Sequence, residues 1–486
     1  MVILMKDNTS NNIKENSKLF VDWVEKYFNE IDDYPVLPNV KPGEIKDKLP
    51  TKPPQESESY KQIISDLDEI ILHGVTHWNH PKFMAYFNAT SSDPGIFAEL
   101  ISAAFNTNGM LWKSNPASAE LEEVTLDWFR QMLGLSENFW GIIYDLASTS
   151  TMQAIVAARE NLPEYSIREK GFGGMQNMPR LRLYASEQVH SSIEKGAIVA
   201  GIGLEGVRKI PVDYKFRMIP TELEKAIAED KANGWKPFCV VATVGTTSTT
   251  SIDPVSEIAS ICKLENIWLH VDAAHAGVAA IVPEMRYLLD GVEAADSFVL
   301  NPHKWMFMPI DISVMFTKHK GILKQAFSII PDYLKTDEDN EVTNYMDYGI
   351  QLGRRFRSLK LWFVIRHYGT DGLIEIIREH LRLGQMFSKW IIESKDFELL
   401  APTPLSTICF RAVPENIQSE DDLNSFNKNL MDSINSTGEV FLSHTVLNGK
   451  FTIRVVVSGI RTEEEHVREV FEILNTEFRK LEVLKQ

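Results

Sequence analysis

At 486 residues the chain can bury a large core, and its length favours about two or three domains over one. A composition of 44% hydrophobic and 24% charged residues with ten tryptophans excludes global disorder. Lys plus Arg is 50 against 67 for Asp plus Glu, a net charge of -17, which argues against nucleic acid as a partner because such binding needs a basic surface. Cys239, Cys262 and Cys409 stand far apart with no CxxC pair, so buried free thiols are expected, and neither a metal site nor a disulfide framework. The opening MVILMKDNTSNN has too few apolar residues for a signal-peptide core, and no apolar run is long enough to span a bilayer. The expectation is a cytoplasmic protein without a membrane partner.

Residues 17 to 31 place Phe20, Trp23, Tyr27 and Ile31 on one helical face. Pro35, Pro38, Pro42, Pro50, Pro53 and Pro54 then predict an extended arm, and a second helix is expected from about Tyr60 to Leu72. This unit, residues 1–85, has apolar faces but too little mass for its own core. It must dock elsewhere, on its own chain or on a second copy, and a homodimer is the expectation. The aromatic-rich segment 80 to 95, punctuated by Pro81 and Pro94, reads as a packed loop or as the wall of a site. A helix opens at Asn115-Pro116 with its cap and proline where helices prefer them, and Leu121, Val124, Trp128 and Met132 are expected to line its inner face.

Strand and helix alternate from residue 141 onward. GIIYDLASTSTMQAIVAAR (141 to 159) runs from an apolar segment through small hydroxyl residues into a helix, and such a helix start can seat an anion. The same Ser and Thr residues are also ordinary N-caps. GFGG (171 to 174) has no following Lys-Ser/Thr pair and reads as a turn, not a P-loop. Four further strand-like runs follow: LRLYAS (181 to 186), FCVVATVG (238 to 245), IWLHVDAA (267 to 274) and DSFVLN (296 to 301). Nearly continuous apolar strands with helical crossovers imply a mostly parallel sheet flanked by helices, whose ligands bind beyond the carboxyl ends of the strands. His190, Thr246, Asp272 and Lys304 each follow or close such a strand. After ISVMF (312 to 316), the acidic stretch from Ile330 to Ile350, with Tyr333, Tyr345 and Tyr348, has no apolar period and reads as a mobile loop or lid. A long helix follows 351 to 369. From about residue 395 a strand, a helix near 420 to 436, a hairpin turning at Asn448-Gly449 and a closing helix form a small α+β unit. The expected domains are 1–85, a large α/β domain over 86–370, and a small C-terminal α+β domain over 371–486.

Singly, these residues have ordinary explanations. Lys304 is a surface lysine, Asp272 a strand-end acceptor for backbone N–H groups, His190 a satisfied core histidine. Together on one sheet edge they form a different object: a covalent amine, a carboxylate, a stacking ring and a phosphate seat, which fit pyridoxal 5'-phosphate (PLP). Lys304, just past a buried strand, would attach the cofactor. Asp272 would hold its pyridine nitrogen protonated, His190 and Ala274 would lie against its two faces, and the turn at 147 to 150 would receive the phosphate.

The sequence also resembles the group II PLP-dependent decarboxylases, and within them the aromatic-L-amino-acid decarboxylases. NPHKW (301 to 305), HVDAAHAG (270 to 277), ATVGTTS (242 to 248), QVHSSIEK (188 to 195), NPASAELE (115 to 122) and LGRRFRSLKLWFV (352 to 364) carry the likeness, which runs from about Leu19 to the last helix. It implies a fold type I α/β homodimer with its active site at the subunit interface. Lys304 is implied as the Schiff-base lysine and Asp272 as the pyridinium partner. Ala147, Ser148, Asn301 and His303 are implied as cofactor contacts, with Thr246 lining the cofactor pocket and His190 touching both cofactor and substrate. Tyr86, Phe87 and Ala89 would lie in the substrate pocket, Met110 would reach it across the interface, and Gly353 would leave room for an indole ring. The implied reaction is decarboxylation of an aromatic L-amino acid to its amine. Tyr333 of the mobile loop is implied as the residue placed to deliver a proton to Cα.

The chain departs from the common pattern in places. Tyr86-Phe87-Asn88-Ala89 stands where YFPT is usual, His275 replaces a tyrosine, LASTS replaces a turn richer in Gly and Ser, and Met110 replaces a bulkier aromatic residue. These departures bear on substrate choice more than on cofactor binding. An aldehyde synthase on the same scaffold, in which the loop tyrosine is typically phenylalanine, is the alternative, and Tyr333 favours the amine. An acidic substrate fits the aromatic pocket less well, although Arg354 and Arg355 are near in sequence. A non-catalytic scaffold would have lost Lys304, Asp272, His190 and Tyr333.

Overall fold

Seven strands form the main sheet: β1 (Trp140–Tyr144), β2 (Arg180–Ser186), β3 (Val207–Ile210), β4 (Trp235–Thr243), β5 (Trp268–Asp272), β6 (Ser297–Leu300) and β7 (Ser313–Thr317). The structure, a computed structural model, describes residues 13–174 and 178–484. The strand order is β1-β7-β6-β5-β4-β2-β3. β7 runs antiparallel to both of its neighbours, and every other pair is parallel. β1, β2, β4, β5 and β6 therefore end at one edge. The central strands are apolar on both faces because helices cover both. In β4 all residues from Pro237 to Thr243 are buried, and each large aliphatic side chain so placed contributes ~1.5–3 kcal/mol. β3, a four-residue VRKI edge strand with three half-buried positions, carries too little apolar pattern to read from sequence.

The helix Pro116–Leu133 starts as expected, with the Asn115 side chain accepting from Ser118 N–H, and Leu121, Trp128 and Met132 pack half-buried against the cores as expected, but the fully buried positions are others. Ala119, Glu122, Leu126, Phe129 and Leu133 point inward, while Val124 is 45% exposed. The choice is made by the buried Arg354, which draws Glu122 into the core. The proline-rich arm also differs: between Pro42 and Pro50 the chain forms a short helix, Glu44–Lys48, where no proline interrupts. The expected second helix is found as Tyr60–Asp66 and continues through a π turn at Leu67–Ile71.

A second, antiparallel sheet follows: β8 (Phe397–Leu399), β9 (Thr407–Ala412), β10 (Ser443–Leu447) and β11 (Lys450–Val456), in the order β10-β11-β9-β8. The hairpin of β10 and β11 turns at Asn448 and Gly449, both with φ positive, as that dipeptide prefers. The helices Glu420–Ser436 and Glu464–Leu484 pack on this sheet. The long helix Ser358–Glu393, which links the two sheets, is broken at Gly369 (φ 66°, ψ 172°).

The 330 to 350 stretch, read from sequence as a mobile loop or lid, is packed in its second half. Thr343 to Tyr348 are buried. Tyr345 and Tyr348 pack on Trp140, and the Arg354 guanidinium lies 4.5 Å from the Tyr345 ring centre. In the first half the turn Asp332–Leu334 buries Leu334 and leaves Tyr333 78% exposed. The three cysteines are buried and free, as expected. Among the described residues no helix is long and apolar enough to cross a membrane.

Candidate active site

The register sets the ends of the strands side by side. Thr243, the last residue of β4, pairs with Asp272, the last of β5, and Asp272 pairs with Val299 of β6. Beyond β6, Asn301 opens a single helical turn, Pro302–Trp305, that carries His303 and Lys304. β1 ends at the same edge, because Tyr144 pairs with Ser313 of β7, and the helix Ala147–Glu160 begins three residues later.

These ends surround a cavity of about 370 Å³. Ala147, Ser148, His190, Asp272, Ala274, Asn301, His303 and Lys304 line it, with Tyr86 and Phe87 entering from the 80 to 95 segment. A groove of about 850 Å³ along β1 is larger, but Glu123, Asp127, Glu137, Arg130 and Lys320 line it as a solvated charged surface. Among the described residues no group of three or more His, Cys, Asp or Glu is placed to hold a metal.

Lys304 Nζ lies 5.2 Å from the centre of the Phe87 ring, and burial pushes its amine below the usual lysine range against the opposing charge of Asp272. The Asp272 carboxylate accepts from Ala274 N–H at 3.0 Å. His190 lines the cavity, with Nδ1 2.9 Å from Ser192 Oγ and accepting from Ser192 N–H at 3.2 Å. Burial lowers its pKa, Lys304 and Lys195 lower it further, and Asp272 opposes them. His303 is buried and pushed down to about 4, first by burial and then by Lys304. Asn301 Oδ1 and Thr243 Oγ1 are buried without a hydrogen-bond partner. Buried polar atoms without a protein partner, a helix start with no side-chain cap at Leu146, small residues at 147 and 148, an amine and a carboxylate are a set of groups that PLP fits.

Other residues singled out from sequence lie elsewhere. Thr246 is fully buried and does not line the cavity. Its hydroxyl pairs with Thr249 and accepts from Ser251 N–H, shaping the turn from which Gly245 and Thr247 face inward. Ala89 is half-buried outside the lining. Met110 packs with Leu111, Leu334 and Met346, beside Gly353, whose closest neighbour across space is Asn108, and this second locus includes the turn that bears Tyr333. On this chain Met110, Gly353 and Tyr333 are therefore absent from the lining of the Lys304 cavity.

Arg454 of β11 lines the cavity and was not singled out from sequence. Its donors go to Ser248 O (2.8 Å), Thr247 O (2.8 Å) and Ser443 Oγ (3.0 Å). The signal available was a lone cation inside the apolar run FTIRVVV. His275, noted only as a departure, stacks on Phe87 and Trp305.

The profile of the pyridoxal-dependent decarboxylase conserved domain matches residues 42–413. The chain is 38% identical to tyrosine decarboxylase 2 of Narcissus pseudonarcissus, covering 96% of this chain and 94% of that one. It is 38% identical to phenylacetaldehyde synthase of Arabidopsis thaliana, covering 98% and 97%. It superposes on the crystal structure of Oryza sativa TDC with PLP and tryptamine with a TM-score of 0.94, at 34% identity, covering 98% of this chain and 99% of that one. The pocket and these matches converge: the chain belongs to the pyridoxal-dependent decarboxylases, carboxy-lyases of amino acids that use PLP.

Proposed function

We propose that this enzyme decarboxylates an aromatic L-amino acid, of the tryptophan, tyrosine, dopa or phenylalanine class, to the arylalkylamine and CO2. The observation that carries the reading is Lys304 facing Asp272 across a cavity walled by Phe87. The names of the tyrosine decarboxylase and of the structure holding tryptamine support the aromatic class.

PLP, when bound, supplies a covalent hold on the substrate nitrogen and an electron sink for the bond to the carboxylate. Lys304 would anchor it, helped by a lowered pKa that leaves more free amine. Asp272, fixed by Ala274 N–H, would hold a proton on the ring nitrogen. His190 and Ala274 would lie against the ring faces, and Ala147, Ser148 and Asn301 would take the phosphate. His303 would support Lys304, and Thr246 would act through the turn that presents Gly245 and Thr247. Phe87 and Tyr86 would exclude water around the aromatic side chain, with Ala89 behind them.

Tyr333 would deliver the proton to Cα from a second subunit, together with Met110 and Gly353 of the locus described above. The exposed Phe97, Leu100 and Phe105 on the helix Asp93–Phe105 give the homodimer an apolar face to bury. The domain division at about residues 85 and 370 fits the break at Gly369, the first twelve and last two residues lying outside the described ones. A cytoplasmic location is in keeping with three buried, unpaired cysteines. The alternative, an aromatic aldehyde synthase, has the phenylacetaldehyde synthase likeness in its favour. A panel of amino acids with product identification separates the two. Amine with stoichiometric CO2 from an aromatic substrate is expected. Aldehyde with ammonia and peroxide would replace this reading, and turnover confined to acidic amino acids would end it.

A further inference from the structure

His275 is 1% exposed, lines the Lys304 cavity, and neither ring nitrogen has a hydrogen-bond partner. Its ring is clamped between Phe87, 3.9 Å away between centres with planes 9° apart, and Trp305, at 4.7 Å and 2°. Any imidazole carries at least one N–H, and a buried donor left unpaired costs ~1–3 kcal/mol. Packing alone would be better served by phenylalanine. A ligand group is the partner the ring lacks.

The charges around it say which kind. Lys304 and Arg454 both bear on His275, and Arg454 lies 5.6 Å from the centre of the Phe87 ring on which His275 stacks. Arg454 is 4% exposed, and each of its three side-chain nitrogens donates to a carbonyl or a hydroxyl, so it sets a positive field without a carboxylate of its own among the described residues. Asp272 is the one carboxylate among the residues lining the cavity, and it is held on Ala274 N–H. The corner made by Phe87, His275 and Arg454 is largely buried, positive and short of an acceptor.

We propose that His275 is a substrate-binding residue whose ring N–H donates a hydrogen bond to the carboxylate of the amino-acid substrate. This rests on the proposed function for the substrate being an amino acid. A neutral donor suits a group that must leave as CO2. It fixes the direction of the carboxylate with less ground-state stabilisation than a direct ion pair, whose strength would be lost as the charge moves away.

The test uses the PLP-loaded enzyme and two probes, 3-phenylpropionate, which has the carboxylate without the amine, and 2-phenylethylamine, which has the reverse. Binding is read by calorimetry. His275→Phe keeps the ring stack and removes both nitrogens. Its affinity for 3-phenylpropionate should fall about tenfold or more, as for the loss of a hydrogen bond to a charged group, while that for 2-phenylethylamine stays within about twofold. His275→Gln, which keeps an N–H donor without the ring, should hold 3-phenylpropionate better than His275→Phe. KM for the amino acid should rise more than kcat falls in His275→Phe. Equal loss of both probes, or no loss of 3-phenylpropionate, would overturn the assignment, as would wild-type enzyme that does not bind 3-phenylpropionate. Absence of CO2 release from every aromatic amino acid would instead overturn the proposed function, and the contrast between the probes would remain readable.

Discussion

Removing the guanidinium of Arg354 should destabilise the protein far more than removing the guanidinium together with its partner. Arg354 donates to both oxygens of Glu122, at 3.1 and 2.8 Å, and to Ile143 O at 2.6 Å, and both side chains are buried. Glu122 also accepts from Ile143 N–H at 2.9 Å. In Arg354→Met the Glu122 carboxylate stays buried with that one N–H as its donor, a loss of about 3–5 kcal/mol. In Glu122→Leu/Arg354→Met no charge is left behind, and a well-packed apolar pair is often close to neutral, so most of the loss should be recovered. Urea unfolding of wild type, both single variants and the double variant, followed by tryptophan fluorescence, gives the coupling energy. A single variant as stable as wild type, or a double variant that loses the sum of the singles, would refute the reasoning. The backbone of Arg354 also holds the 108 to 110 turn, through Gly109 N–H at 2.9 Å and Asn108 Oδ1 at 2.9 Å.

Stability should decline in acid. His270 and His380 are buried and pushed down to about 4 by burial, so the unfolded chain takes up protons below 6.5 that the folded chain refuses, and each contributes a loss of roughly 3 kcal/mol between pH 6.5 and about 4. Asp253, raised by burial to about 6, works in the opposite direction with roughly the same size, since the folded chain keeps its proton between about pH 6 and 3.8. The two histidines outweigh it, and Asp253→Asn should make the acid loss steeper; a shallower loss would contradict the sign. Gly245→Ala should lower stability by ~1–3 kcal/mol and weaken PLP binding, because Gly245 has φ 86° and an added Cβ would lie 2.5 Å from that of Ala276. Unchanged melting and PLP titration would count against it. Tyr333→Phe should keep substrate consumption and divert product from amine towards aldehyde, and a variant that still makes amine alone would remove Tyr333 from the proton step.

What could be read before folding was local. Asp272 and Lys304 were legible because each follows a short apolar strand, and a parallel sheet brings strand ends to one edge whatever the loops do. Buried strands with crossovers likewise announced the main sheet, while β3 and β8, each with one buried residue, carry too little apolar pattern. Arg454 was out of reach because it arrives from the second sheet, and only tertiary packing sets it against Phe87. The buried half of the 330 to 350 segment was missed for a related reason: Tyr345 and Tyr348 are held by Trp140 and Arg354, which are distant or differently patterned in sequence. On the Pro116–Leu133 helix Leu121, Trp128 and Met132 were read correctly as inward, while Val124 was misplaced and Glu122 missed because a carboxylate occupies the core. Hydrophobic spacing cannot foresee a buried ion pair.

Among the described residues, burial lowers the pKa of three lysines: Lys304, Lys320 and Lys360. Reactivity alone would not choose between them; geometry does. Lys320 sits over Trp140 in the charged groove, and Lys360 is held by Pro309 O, Asp311 O and Glu99. Lys304 alone of the three faces Asp272 in the cavity. Borohydride reduction of the PLP-loaded enzyme followed by peptide mass spectrometry should find the cofactor fixed on the peptide carrying Lys304, and Lys304→Ala should lose both the label and the visible absorption band. Label on Lys320 or Lys360, or a Lys304→Ala protein that keeps its colour, would contradict the account.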